Sequence, residues 1–319
     1  MGIQYLNSYF KRNTGPMSIN KIKFSELKNK IIVIDASIYL YRFLAENALL
    51  ENIYIMISLF RQHNITPIFV FDGVAPLEKK ALLEKRNQIK NKAEEEYNMM
   101  KKELESILST DNAYQDLYES MITLKKKFIR LKRSDVVKVQ NLLSAFGIKY
   151  IEAPNEADEL CAKLVIKKQA YACLTEDMDL FLYGCPRVLR YLSLLNETVI
   201  IYYLDKILID LHMTFNEFKE ICVISGTDYN IITDNKTNLY KTLKYFEEFK
   251  KVDTDKSFYE WLDETSDYIS NIYKLYANCH LFRTEHVNIK RLKLNNMIGT
   301  MDTDKIEKIM IPQGFIFIK

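Results

Sequence analysis

Seven acidic residues in this chain stand at the ends of apolar runs, a placement that suits carboxylates to hold divalent metal ions. Asp35 follows IIVI, Asp72 follows PIFVF, Glu156 and Asp158 lie in APNEADE, Asp177 and Asp179 in LTEDMDL, and Asp228 in SGTDY. A parallel sheet delivers the C-terminal ends of its strands to one rim, where residues distant in sequence meet. Carboxylates gathered there repel one another strongly unless cations neutralise them. The chemistry this predicts is that of a magnesium-dependent enzyme acting on phosphodiesters. Asp177 and Asp179, two positions apart, share a face if they continue the strand that ends at Thr175. Glu156 and Asp158 share no face of a regular helix, so they converge only if Glu156 sits at an irregular first turn, which Pro154 favours, with Asn155 as the cap. Each residue also has a local reading. Acids suit helix N-termini, Asp35-Ala36-Ser37 suits a cap and Asp72-Gly73 suits a turn. Their recurrence at strand ends, in the same order of strand and helix, points to one site instead.

The elements that must position these residues alternate along the chain. Short β-like runs, Ile31 to Ile34, Ile68 to Phe71, Tyr171 to Leu174 and Val199 to Tyr203, are separated by longer segments of helical period. That pattern predicts βαβ units and a mostly parallel sheet. Ser134 is the expected N-cap of a helix carrying Val136, Val139, Leu142, Leu143 and Phe146, with Gly147 just beyond its end. GIKYIEAPNEADELCAKLV reads as strand, turn and helix. Between Asp72 and the Ser134 helix lies a charged insertion, roughly Pro76 to Lys132, with no glycine or proline after Pro76. It predicts a long exposed helix from Lys79 to Leu108, a break at STDNAYQD and a second helix.

The net charge of +3 is mild for a chain of 319 residues, but charge is segregated along it. Lys79, Lys80, Lys85, Arg86, Lys90, Lys92, Lys101 and Lys102 cluster in the insertion, and KKKFIRLKR spans Lys125 to Arg133. Five cysteines, odd in number and without a C-x-x-C pair, argue against a disulfide framework or a structural zinc and fit a reducing compartment. Neither a secretory leader nor a run of about eighteen apolar residues is present, so an intracellular protein is expected.

IVIDASIYLYRF, PIFVFDGVAPLEKK, IEAPNEADELCA, LTEDMDLFLYG and SGTDY, with MGI at the start, stand in one order from residue 1 to about residue 230. In that order they make the chain resemble the flap endonuclease family, structure-specific 5′ nucleases of DNA replication, repair and recombination in the superfamily that includes xeroderma pigmentosum group G. The resemblance implies a PIN-like α/β nuclease core over 1–230, with a helical arch at about 76–132 and a helical DNA-binding region over 231–319. It implies two Mg²⁺ ions per site, with Mn²⁺ able to substitute. The first would be held by Asp35, Asp72, Glu156 and Asp158, the second by Asp177, Asp179 and Asp228. Lys79 and Arg86 would act catalytically on the scissile phosphate. DNA contacts would come from Gly2, Tyr41 as a base-stacking ring, Lys80, Arg130, Lys132, Arg133 and Lys236. Where the family carries a glycine-bearing hairpin that holds K⁺, this chain reads NIITDNKTNLYKTL, with no glycine between Gly226 and Gly299, which leaves K⁺ binding open. Thr233, Asn235, Lys236 and Asn238 could contact phosphate there instead.

The partner implied is DNA bearing 5′ flaps, nicks, gaps or junctions, met by a monomer. Gln313 opens no recognisable sliding-clamp motif. The expected place is with DNA, in the nucleus or, for a viral member, at a cytoplasmic replication site. A four-way junction resolvase, a nick or gap exonuclease and an inactive DNA-binding scaffold are the alternatives.

Overall fold

Strict alternation in the buried strands assigns their side chains to two cores. Val33, Ile68, Val70 and Cys173 face one, while Ile32, Ile34, Phe69, Phe71, Ala172 and Leu174 face the other. The computed structural model describes residues 3–105, 112–230, 237–289 and 298–317. Its strands are β1 (Ile19–Lys23), β2 (Ile31–Asp35), β3 (Thr66–Phe71), β4 (Tyr150–Glu152), β5 (Ala172–Leu174), β6 (Arg187–Ser193) and β7 (Thr198–Tyr203). Among the described residues they form one seven-stranded sheet in the order β1-β7-β6-β5-β2-β3-β4. From β6 to β4 all pairings are parallel; β7 runs antiparallel to both β6 and β1. The run expected at Val199 to Tyr203 is therefore a strand, but of the antiparallel edge. The chain builds outward from β2 through β3 to β4, then returns to lay β5 on the other side of β2. That reversal makes the β2/β5 gap the switch point where an open sheet takes its ligands.

Helices cover both faces. On one side Leu6–Asn13, Ala157–Ile166 and Phe215–Ile224 share a core with Leu239–Phe249, Phe258–Thr265 and Ile272–Leu281. On the other lie Ala36–Ala45, Leu49–Gln62, Arg133–Ala145 and Thr303–Met310. The fold is PIN-like: a mostly parallel sheet between helical layers. The charged insertion is a helical hairpin of Lys80–Leu104 and Asn112–Lys127, tied by a Tyr97–Phe128 ring contact and by Arg130 bonded to Glu94 and Asn91. Only Ala93 of the longer helix is buried, so this hairpin stands off the core as its polarity predicts.

Two local expectations shift. The helix expected to be capped by Ser134 begins at Arg133 with Lys132 as its N-cap, whose backbone N–H donates to Asp135 Oδ2, so it opens two residues earlier. Glu156, not Asn155, is the N-cap of Ala157–Ile166, in extended conformation.

Candidate active site

Asp35 ends β2, and its Oδ2 accepts from the Thr175 hydroxyl at 2.9 Å across the switch point. The same hydroxyl oxygen accepts from the Asp177 backbone N–H at 3.1 Å. Strand β5 stops at Leu174, so Asp177 and Asp179 do not continue a strand as the spacing suggested. Asp177 Oδ1 instead accepts from the Asp179 N–H at 3.0 Å, a tight turn that carries both carboxylates into the cleft. Beyond β3, Gly73 crosses the loop after β4 so closely that a Cβ there would lie 2.1 Å from the Ala153 carbonyl oxygen. This approach lets Asp72 Oδ1 cap the facing helix, accepting from Ala157 N–H at 2.8 Å.

Lys79 ties the acidic groups together. Its buried ammonium lies 2.6 Å from Glu156 Oε2 and 3.5 Å from Asp228 Oδ2, and 4.9 Å from the centroid of the Tyr229 ring. Burial alone would lower its pKa, but Glu156, Tyr229 and Asp228 outweigh that and raise it. Arg86 donates from Nη2 to both oxygens of Asp228, at 2.9 and 3.1 Å. The anions feel one another as well. Burial, then Asp72 and Asp177, pushes Asp35 up to about 8, with the Thr175 hydroxyl partly opposing. Burial followed by the fields of Asp35 and Asp177 raises Asp158 well above the usual carboxylate range. For Asp179 the causes are burial, then Asp177 and Asp228. All seven acids singled out in the sequence, with Lys79 and Arg86, thus fall in one cleft.

The donor set is oxygen only, which suits a hard cation such as Mg²⁺. Asp179 Oδ1 is buried without a hydrogen-bond partner, an atom that a cation would satisfy. Among the described residues, no group of three or more His, Cys, Asp or Glu side chains is arranged to hold an ion as it stands. Glu156 and Asp228 turn to Lys79 and Arg86 instead.

Of the other residues expected to touch DNA, Tyr41 is exposed, with Lys90 Nζ 5.0 Å from its ring centroid. Lys80 and Lys132 are also exposed, while Arg130 braces the hairpin and Arg133 reaches Glu152 at 3.2 Å. Gly2, Thr233, Asn235 and Lys236 lie outside the described residues, whereas Asn238 caps Leu239–Phe249, its Oδ1 accepting from the Lys241 N–H at 3.0 Å. Sequence reasoning missed Thr175, Tyr229 and Arg190. Thr175 and Tyr229 lie inside the motifs that supply the acids, and that adjacency was the available signal. Tyr229 donates to Glu156 Oε2 at 3.2 Å. Arg190, buried on β6, donates to the Glu176 carbonyl at 3.0 Å and to Met178 Sδ at 2.7 Å, holding the loop between Asp177 and Asp179.

A carboxylate-lined switch point under a cationic helical hairpin defines a class, the PIN-like nucleases. Family models described as XPG N-terminal domain and XPG I-region match residues 1–93 and 147–228. Flap endonuclease 1 of Methanococcus aeolicus is 30% identical over 283 residues, covering 79% of this chain and 81% of that protein. Two solved structures share the fold. The catalytic core of Rad2 in complex with DNA substrate has a TM-score of 0.68 at 20% identity over 98% of this chain and 96% of that one. Flap endonuclease-1 from Methanococcus jannaschii has a TM-score of 0.65 at 24% identity, over 98% and 93%. The chain belongs to the flap endonuclease family.

Proposed function

We infer that this protein is a structure-specific 5′ nuclease that hydrolyses DNA phosphodiesters near single-strand to double-strand junctions, leaving a 5′-phosphate. The observation that carries the reading is the meeting of seven carboxylates with Lys79 and Arg86 at the switch point, directly beneath the basic hairpin. Its substrates are DNAs with 5′ flaps, nicks, gaps or junctions, handled by a monomer in replication, repair or recombination, at whatever site in the cell holds that DNA. The core would span 1–230 with the arch at about 76–132, and the helices between 239 and 281 would serve as the DNA-binding region, while 298–317 packs back on the core. Among the described residues no helix is long and apolar enough to cross a membrane.

Asp35, Asp72, Glu156 and Asp158 would hold one Mg²⁺, and Asp177, Asp179 and Asp228 a second, with Mn²⁺ able to replace either. Ions held there would supply activation of water and neutralisation of charge on the leaving oxygen. Thr175 fixes the Asp35 carboxylate, and Arg190 fixes the loop that carries Asp177 and Asp179. Lys79 and Arg86, released from Glu156 and Asp228, neutralise the scissile phosphate. Arg86 presents a planar fork to its oxygens, and Lys79 a compact charge seated on Tyr229. The hairpin cations draw in a single-stranded 5′ end, which passes where a duplex is too wide.

The test is Mg²⁺-dependent cleavage of 5′-labelled double-flap, blocked-flap, nicked and four-way junction DNA. Incision at the flap base that a bulky 5′ block prevents is the expected result, and Asp179→Ala is expected to abolish cutting while DNA binding persists. Symmetric junction cuts indifferent to the block would make the protein a resolvase. Full activity in Asp179→Ala would overturn the metal assignment.

A further inference from the structure

Tyr5 adopts φ 66° and ψ −6° at the N-cap of the first helix, Leu6–Asn13, and its side chain makes no capping bond. A bulky residue in the left-handed region is strained, and a tyrosine is a poor cap. Nor does the helix need Tyr5 as an anchor, because Leu6 and Phe10 are buried and Phe10 packs edge-on against Phe181. The Tyr5 ring is 51% exposed and leans on Tyr240, itself 39% exposed, with ring centroids 5.7 Å apart. Tyr240 begins the exposed stripe of Leu239–Phe249, where Lys244 follows one turn later. Two aromatic faces from separate segments, beside an exposed lysine, have the composition of a nucleic-acid stacking surface.

The segment of Tyr5 adjoins the acidic cleft. Two residues after Tyr5, Asn7 Oδ1 accepts from Arg190 at 2.9 Å, and Arg190 holds Met178 between Asp177 and Asp179. Tyr240 joins this rim through its ring contact with Tyr5. We propose that Tyr5 and Tyr240 form a stacking platform for the DNA strand at the rim of the cleft, with Lys244 taking a neighbouring phosphate. The platform rests on the nuclease reading and adds to it a binding site outside the carboxylate cluster and the hairpin.

Strain and binding separate in the test. Asparagine tolerates the left-handed region, so Tyr5→Asn is expected to keep or raise Tm while weakening flap DNA about tenfold, within the range attributed to aromatic stacking. Tyr240→Ala, on an exposed helical position, is expected to hold Tm and lose similar affinity. Binding is read by fluorescence anisotropy in EDTA, where nothing is cut, with a 5′-flap duplex as probe and Tm measured on the same samples. Wild-type affinity in both variants, or a Tm that falls in step with affinity, would overturn the platform. If wild type cuts no DNA yet binds it in a ring-dependent way, the nuclease reading fails and the platform stands. If wild type cuts flaps and both variants bind normally, the platform alone fails.

Discussion

Asp35 shows at the scale of one side chain how the site is built against folding stability. It is buried beside Asp72 and Asp177, and its pKa is pushed up to about 8 without metal, against roughly 3.9 in an unfolded chain. The folded state therefore favours the protonated carboxyl. The resulting stabilisation is complete below the unfolded pKa and is lost as pH rises through about 8. In EDTA, urea-unfolding stability should fall between about pH 4 and about pH 8, with Asp35 contributing up to about 1.4 kcal/mol per pH unit. Asp158 and Asp179, also raised, add slopes of the same sign. Asp35→Asn, which cannot ionise, should flatten the dependence, and added Mg²⁺ should recover stability at the alkaline end. A curve that stays level in EDTA would mean that the acids are not crowded.

The arch raises the same separation between stability and activity among elements. Its long helix, Lys80–Leu104, buries only Ala93, so it is held by its own hairpin contacts and by the Lys79 and Arg86 pairs at its base. Proline in a helix interior costs about 3 kcal/mol. Glu95→Pro, between the Arg130–Glu94 bond and the Tyr97–Phe128 contact, should break the arch while leaving the urea midpoint of the core nearly unchanged. Flap cleavage should fall at least tenfold, with four-way junction binding less affected; unimpaired flap cleavage would remove the arch from the reaction. The arch was legible in the sequence because its helices are local and its polarity is continuous. Strands β2, β3 and β5 were legible from their apolar runs, and so were the acids at their ends. Edge strand β1 and inner strand β6 were not: β1 reads INKIK, and β6 buries Arg190 among apolar neighbours, so neither shows a clean period. The cap from Asp72 onto Ala157 escaped for another reason, being a contact between residues far apart in sequence.

Across the whole molecule, the chain's last described segment returns from the helical layer to the opposite face of the sheet. Gly299 N–H donates to the Gly147 carbonyl and Asp302 N–H to that of Ala145, Ile306 and Met310 are buried in that core, and Phe315 and Phe317 pack on Tyr54. Gly147 was legible as the end of a helix, but its second role as a crossing point was not. It sits at φ 72°, and a Cβ there would lie 2.5 Å from the Thr300 carbonyl oxygen. Left-handed strain alone costs an alanine about 1–2 kcal/mol, so Gly147→Ala should cost more than that in urea denaturation because the return segment must also shift. Met310→Ala, which removes a fully buried side chain from the same segment, should cost about 2–5 kcal/mol. Either change loosens one segment, so the second has less left to break, and the double variant should cost clearly less than the sum. Strict additivity would mean that Gly147 and Met310 report on independent contacts and that the returning segment does not act as one fastening on that face of the sheet.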